Sequence, residues 1–192
     1  CEYLFEKEHL IIPAGTLKKG RNVVNISFEP GEKPLNRNDD YLYTLLVPDR
    51  ARSLFPCFDQ PDLKARFNLT LNIPEKWVAV TNSSMKMTEI TEGRKIMVFR
   101  GTELLSTYLF SFVCGMFEVE HFVRNEDEIL IYHRETEKKK VSQLPEIAQQ
   151  VYHALDWMED YTGIPYPFSK YDLVILPGFQ FGGMEHAGAT LY

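Results

Sequence analysis

The residues best suited to chemistry lie near the end of the chain, where Gly182-Gly183-Met184-Glu185 sets a carboxylate directly after two glycines. A carboxylate is a natural receptor for a cationic amine, through charge-assisted hydrogen bonds. Glycine lets a backbone come close without a side chain in the way. The bland reading of the same string is a surface glycine turn followed by a solvated glutamate. The cysteines offer less. Cys1, Cys57 and Cys114 form no CxxC pair and no even framework, so a thiolate metal site and a disulfide scaffold are both unsupported.

Most of the first 133 residues read as short strands that would position such a site. Phe67, Leu69, Leu71 and Ile73 alternate with Arg66, Asn68, Thr70 and Asn72, the pattern of a strand with one buried face. Val24, Ile26 and Phe28 alternate in the same way, and Tyr108 to Cys114 reads as a strand covered on both faces. Turn chemistry punctuates these runs at Pro30-Gly31, Asn82-Ser83-Ser84, Glu92-Gly93 and Asn125-Glu126-Asp127. An antiparallel all-β sandwich follows.

Near residue 135 the pattern changes. Leu144, Ile147, Val151, Leu155 and Met158 recur at helical spacing, with Ser142 expected as N-cap, Pro145 in the first turn and Gly163 as C-terminal cap. Tyr171 to Leu176 then reads as a short apolar strand. A domain boundary is expected near residue 134.

Composition excludes several classes. Hydrophobic residues make up 44% and charged residues 25% of the chain, the balance of an ordinary globular protein rather than a disordered or fibrous one. No apolar run approaches the ~18 residues of a membrane span. A net charge of −6 argues against a nucleic-acid partner, which favours a basic face. The run Lys138-Lys139-Lys140 reads as a solvated approach to the helix. The chain opens without Met and without the basic-then-apolar order of a signal peptide; it is expected to be a piece lacking both flanks.

Two segments are more specific. Ala51-Arg52-Ser53-Leu54-Phe55-Pro56-Cys57-Phe58-Asp59-Gln60-Pro61-Asp62-Leu63-Lys64-Ala65-Arg66-Phe67 resembles the N-terminal β-domain of aminopeptidase N-like zinc enzymes. There AR, FPCFD, P and KA-F recur in this order. Tyr166-Pro167, Lys170-Tyr171-Asp172 and Gly182-Gly183-Met184-Glu185 resemble the YP…KYD…GxMEN region of the same family. The resemblance covers essentially the whole chain.

It implies a mainly β chain. Residues 1–134 would form an antiparallel β-sandwich or saddle domain lacking its beginning. Residues 135–192 would form the α+β start of a thermolysin-like catalytic domain, cut before the zinc motif. Gly182, Gly183, Met184, Glu185 and His186 would be the substrate-binding residues, with Glu185 on the peptide amine and the Gly183 and Met184 backbone lining the substrate. His186 stands where the family usually has Asn, and Val47 where it commonly has Gln or Glu as a second amine contact.

The zinc motif HExxH needs Glu directly after His. Here His9, His121, His133, His153 and His186 are followed by Leu10, Phe122, Arg134, Ala154 and Ala187. No catalytic residue and no metal ligand is therefore expected within the chain. Zinc would be bound beyond Tyr192, and the chain alone would be inactive. The implied partners are peptides with a free N-terminus and the catalytic domain in cis. The alternative is a non-catalytic scaffold or binding relative of the same family. An epoxide hydrolase of the leukotriene hydrolase type is a third reading, which no residue here selects. Cys57 and Asp59 read as structural, and Tyr166 and Phe181 as core aromatics or pocket walls. Asn25, Asn68 and Asn82 lie in N-x-S/T sequons.

Overall fold

A computed structural model describes residues 3–125 and 127–192. Cys1 and the centre of the expected turn at Glu126 lie outside the described residues. A hairpin opens the chain, β1 (Leu4–Glu6) with β2 (His9–Ile11). No strand follows until β3 (Leu35–Arg37). The strand expected around Val24, Ile26 and Phe28 is thus absent: these side chains are 51%, 41% and 50% exposed. Alternation supplies the two faces of a strand, but a strand also needs a neighbour to take its backbone hydrogen bonds. Among the described residues none pairs here.

Two antiparallel sheets form the sandwich. β3, β4 (Tyr41–Thr44), β6 (Val78–Thr81) and β9 (Phe112–Gly115) assemble in the order β3-β4-β9-β6. β5 (Thr70–Pro74), β7 (Met85–Thr91) and β8 (Arg94–Phe99) assemble as β5-β8-β7. Ile73, Met97 and Phe99 from the second sheet meet Ala79 and Cys114 from the first in one buried cluster. The alternation expected over Arg66 to Ile73 holds, with Phe67, Leu69, Leu71 and Ile73 turned inward and their neighbours exposed. The expected strand from Tyr108 is shorter. Thr107–Leu109 is a 3-10 turn, and pairing with β6 begins only at Phe112.

The third sheet runs β10-β11-β12-β13. β10 (Glu118–Arg124) and β11 (Asp127–His133) form an antiparallel hairpin. β12 (Asp172–Ile175) and β13 (Ala189–Leu191) are added in parallel, so this sheet is mixed rather than antiparallel. It crosses the boundary expected near residue 134, because β11 pairs with β12 from beyond it. A parallel partner is reached only by a crossover, here a short helix α1 (Lys138–Val141) and the long helix α2 (Leu144–Thr162).

The layers stack as sheet, sheet, sheet, helix. Tyr41, Tyr43, Val80 and Val113 on the outer face of the β3-β4-β9-β6 sheet meet Tyr132, Val174 and Leu191 of the mixed sheet. The far face of the mixed sheet, Ile129, Ile131 and Leu173, buries Leu144, Ala148 and Tyr152 of α2. The middle sheet is therefore dry on both sides.

Helix α2 ends as expected, with Gly163 in the left-handed conformation at φ 67 and its N–H on Glu159 O. Its start differs. Gln143, not Ser142, occupies the N-cap and makes no side-chain cap bond. Ser142 closes α1 instead, its hydroxyl donating to Lys139 O at 2.8 Å, and Pro145 offers no N–H to a Ser142 cap. The buried stripe runs through Leu144, Ala148 and Tyr152, while Met158 is 49% exposed.

The tightest point in the middle sheet is Gly115, where an added Cβ would run into Tyr41 and Asp40 O. Overpacking of a rigid site costs about 1–3 kcal/mol. Gly115→Ala is expected to lower the unfolding free energy by about 1–3 kcal/mol, read as a lower urea midpoint at an unchanged m-value.

Candidate functional site

The segment from Gly182 to His186 lies on the loop between β12 and β13, folded back against the free edge of β13. Met184 forms an antiparallel bridge with Leu191, Met184 N–H donating to Leu191 O at 2.8 Å and Leu191 N–H to Met184 O at 3.0 Å. Burial alternates along this segment. Gly183 is exposed, Met184 buried, Glu185 exposed and His186 buried. Met184 packs with Tyr43, Leu45, Leu176 and Leu191.

Glu185 is thus held with its backbone fixed and its carboxylate in solvent. Among the described residues no ion pair includes it. The bridge also leaves an edge. Because Met184 spends both backbone groups on Leu191, those of Gly183 face away from β13 as a short open edge, while Met184 O also accepts the His186 N–H at 2.9 Å, so the chain turns at Glu185. Gly183 is tight, with an added Cβ 3.2 Å from the Tyr192 ring, whereas Gly182 has nothing within 4 Å. No neighbour in the structure requires glycine at 182.

His186 is 1% exposed, with Nδ1 3.2 Å from Leu109 O and Nε2 without a partner. Burial pushes its pKa down to about 4, partly opposed by the hydrogen bond to Leu109 O. The ring is a neutral donor at physiological pH. Val47 is half-buried against the apolar cluster that holds Met184, and offers no polar group beside Glu185.

Two anchors seat the rest of the loop. Lys170 Nζ donates to Asp172 Oδ2 at 2.6 Å and to Gly188 O at 2.8 Å. Only 13% of the Lys170 side chain and 3% of that of Asp172 are accessible. Burial lowers the Lys170 pKa and the Asp172 carboxylate raises it back. Asp172 also accepts the Leu130 N–H through Oδ1, so the pair locks β12 to β11 and to the loop together. The second anchor is Asn82, whose amide donates to Ala187 O at 2.8 Å. Between the two anchors Gly188 has φ +76, and an added Cβ would strike Asn82 O.

Sequence reasoning gave no role to Lys170, Asp172 or Asn82. The first pair carried a usable signal, opposite charges two apart at the start of a strand and hence on one face. Asn82 carried only its sequon and its place in an expected turn. Its burial, 5% exposed with both amide atoms bonded, removes it as a glycan acceptor in the folded protein, while Asn25 and Asn68 are exposed.

The other candidates fall elsewhere. Cys57 is half-buried, and burial, with Asp59 nearby, raises its thiol to about 11, which makes it a poor nucleophile. Asp59 accepts Arg52 N–H and Thr107 Oγ1–H, a structural use. Phe181 is 54% exposed and packs edge-on against Phe179, which does the same against Tyr43. Tyr166 lines a cleft of about 770 Å³ together with Tyr132, Lys170 and Asp172. Glu185 is not among its walls, and the charged pairs there, Arg124–Asp156 and Lys170–Asp172, already satisfy each other. Among the described residues no three His, Cys, Asp or Glu side chains stand together as metal ligands, so the residues present do not fit a zinc ion.

Two measurements check this geometry. Between pH 6.5 and about 4 the unfolded chain protonates at His186 while the folded chain does not. Stability therefore rises with pH across that window and is lost on acidification, by on the order of 3 kcal/mol. Thermal melts from pH 7 to 4.5 should show a fall that His186→Asn reduces. Separately, Lys170→Met strands a buried carboxylate and is expected to cost about 3–5 kcal/mol. Lys170→Met combined with Asp172→Asn should recover part of that loss in urea unfolding.

Comparison with known proteins completes the picture. Residues 33–109 match the peptidase M1 N-terminal domain, and residues 147–192 match the peptidase family M1 domain. Aminopeptidase M1-A of Oryza sativa subsp. japonica is 33% identical over 150 residues, 78% of this chain and 17% of that protein. Endoplasmic reticulum aminopeptidase 1 of Homo sapiens is 34% identical over 151 residues, 78% of this chain and 16% of its own length. Aminopeptidase N of Streptomyces lividans is 31% identical over 204 residues, 97% of this chain and 23% of its own. The chain spans less than a quarter of the length of these relatives. With one match on the sandwich and the other on α2, β12, β13 and the Glu185 loop, the chain belongs to the aminopeptidase N family, peptidase family M1.

Proposed function

We propose that this chain is the amine-recognition part of a zinc aminopeptidase that removes N-terminal residues from peptides. In this reading a substrate lies extended along the Gly183 edge and adds to it as a strand does. Glu185 receives the cationic α-amine at the end of that strand, in a charge-assisted hydrogen bond. The observation that carries the reading is the open edge beside an unpaired, outward carboxylate whose two neighbours are buried. The names of the relatives, all aminopeptidases, support the reaction class.

The chain's own part is then confined to binding and orientation. Zinc and the water it activates belong, in this reading, to a part of the enzyme that this chain does not contain, so the chain alone is inactive. Catalysis-ready placement would come from fixing the amine, which sets the first peptide carbonyl at a constant distance from it. We place the division between the sandwich and the catalytic unit just after Gly115, ahead of β10, since β10 and β11 pair with the second unit.

A second reading, a non-catalytic relative that keeps the fold, draws on Val47, which leaves Glu185 without a polar companion. One experiment separates the two. In the full-length protein, Glu185→Gln keeps the shape and removes the charge. The expected loss in kcat/KM on an amino-acid amide is about tenfold to a hundredfold, the worth of one charge-assisted hydrogen bond. An unchanged kcat/KM refutes the amine role, and absence of metal-dependent hydrolysis in the wild type selects the scaffold.

A further inference from the structure

Asn82 stands at the end of β6, far in sequence from the site loop, and its carboxamide is fully used. Nδ2 donates to Leu109 O at 2.9 Å and to Ala187 O at 2.8 Å, and Oδ1 accepts from Ser111 N at 2.8 Å. Leu109 and Ser111 belong to the segment leading into β9, whereas Ala187 lies two residues past Glu185. One buried side chain thus joins the sandwich to the loop. Leu109 O receives a second donor from that loop, His186 Nδ1. Gly188 then passes so close to the Asn82 backbone that no side chain fits between them.

We propose that Asn82 is a positioning residue for Glu185, a carboxamide from the sandwich that fixes where the site loop sits relative to the edge of β13. The part played by Glu185 rests on the amine-binding reading; the seating of the loop does not. An amide suits the task because it carries two donors and one acceptor oxygen. Two carbonyls and one N–H face it, and these are the groups it meets. A carboxylate of the same shape keeps the acceptor for Ser111 N–H but turns both donors into acceptors. One bond to the sandwich, from Ser111 N–H, then survives, while the bond to Leu109 O and the only bond to the loop, at Ala187 O, are lost. A hydroxyl is too short to span the three groups.

The test uses the full-length protein with Asn82→Asp, and Asn82→Ser as a second variant. Amide hydrogen exchange is read by peptide over residues 182–191, over β6 and β9, and over α2. In Asn82→Asp the 182–191 peptides are expected to exchange at least tenfold faster, with β6, β9 and α2 unchanged. The KM for a substrate with a free α-amine is expected to rise about tenfold while kcat stays within about twofold, and turnover of its N-acetylated counterpart does not change. Equal loosening of β9 and the loop, or global unfolding of both variants, makes Asn82 a sandwich residue and overturns the assignment. Unchanged exchange over 182–191 overturns it as well. If the loop loosens but Glu185→Gln leaves KM untouched, the seating stands and the amine reading fails.

Discussion

The direction of one carboxylate depends on the burial of its neighbours. Met184 and His186 both point into packed interior, and the turn between them, His186 N–H on Met184 O at 2.9 Å, leaves Glu185 exposed at its apex. Neither neighbour can turn out cheaply. Exposing Met184 would empty a place beside Leu176 and Leu191, and exposing His186 would leave Leu109 O with one donor fewer. Glu185 therefore reaches solvent, and among the described residues it has no ion-pair partner. Its orientation is enforced by packing rather than by a salt bridge, which leaves the charge free for a ligand.

That arrangement needs a rigid floor, and the layer order provides it. The β3-β4-β9-β6 sheet is covered on both faces, by β5-β8-β7 on one side and by the mixed sheet on the other. The mixed sheet is itself backed by α2. The site loop sits where the middle and mixed sheets meet, so anchors reach it from both. Lys170 and Asp172 hold it to the mixed sheet, and Asn82 holds it to the sandwich. Buried charges such as the Lys170–Asp172 pair add little net stability, because desolvation offsets their attraction. Here they fix position: one ammonium bonds both a carboxylate on β12 and a carbonyl on the loop.

What the sequence disclosed follows the range of each interaction. The alternation from Phe67 to Ile73 and the glycine cap at Gly163 are local, and both appear where the pattern puts them. The family motifs were readable because residue types at fixed spacing survive in one chain. Features that depend on distant partners were not readable. The alternating Val24, Ile26 and Phe28 have no pairing neighbour among the described residues. β10 and β11 look like the close of the sandwich until β12, about forty residues on, pairs beside them. His186 shows nothing in sequence of its burial, and Asn82 shows only an expected turn and a glycosylation signal that its hydrogen bonds make unusable.

The two departures from the family pattern can be weighed by charge. A His beside Glu185 would matter for amine binding if it carried a proton, since a cation there would compete with the substrate for the carboxylate. Burial keeps it neutral down to about pH 4, so His186 adds no charge at physiological pH and serves the loop through Leu109 O. Val47 is the more consequential change. An apolar side chain, half-buried against the cluster that includes Met184, neither repels an ammonium nor helps to solvate it. Under the amine-binding proposal, recognition would fall to Glu185 and the backbone edge, a single charge-assisted contact of roughly 1.5–3 kcal/mol. That is enough to orient a peptide already held as a strand, and too little to bind an amine without one. In that proposal most of the affinity for a peptide would come from backbone pairing along the glycine edge. That pairing in turn requires a loop that does not move.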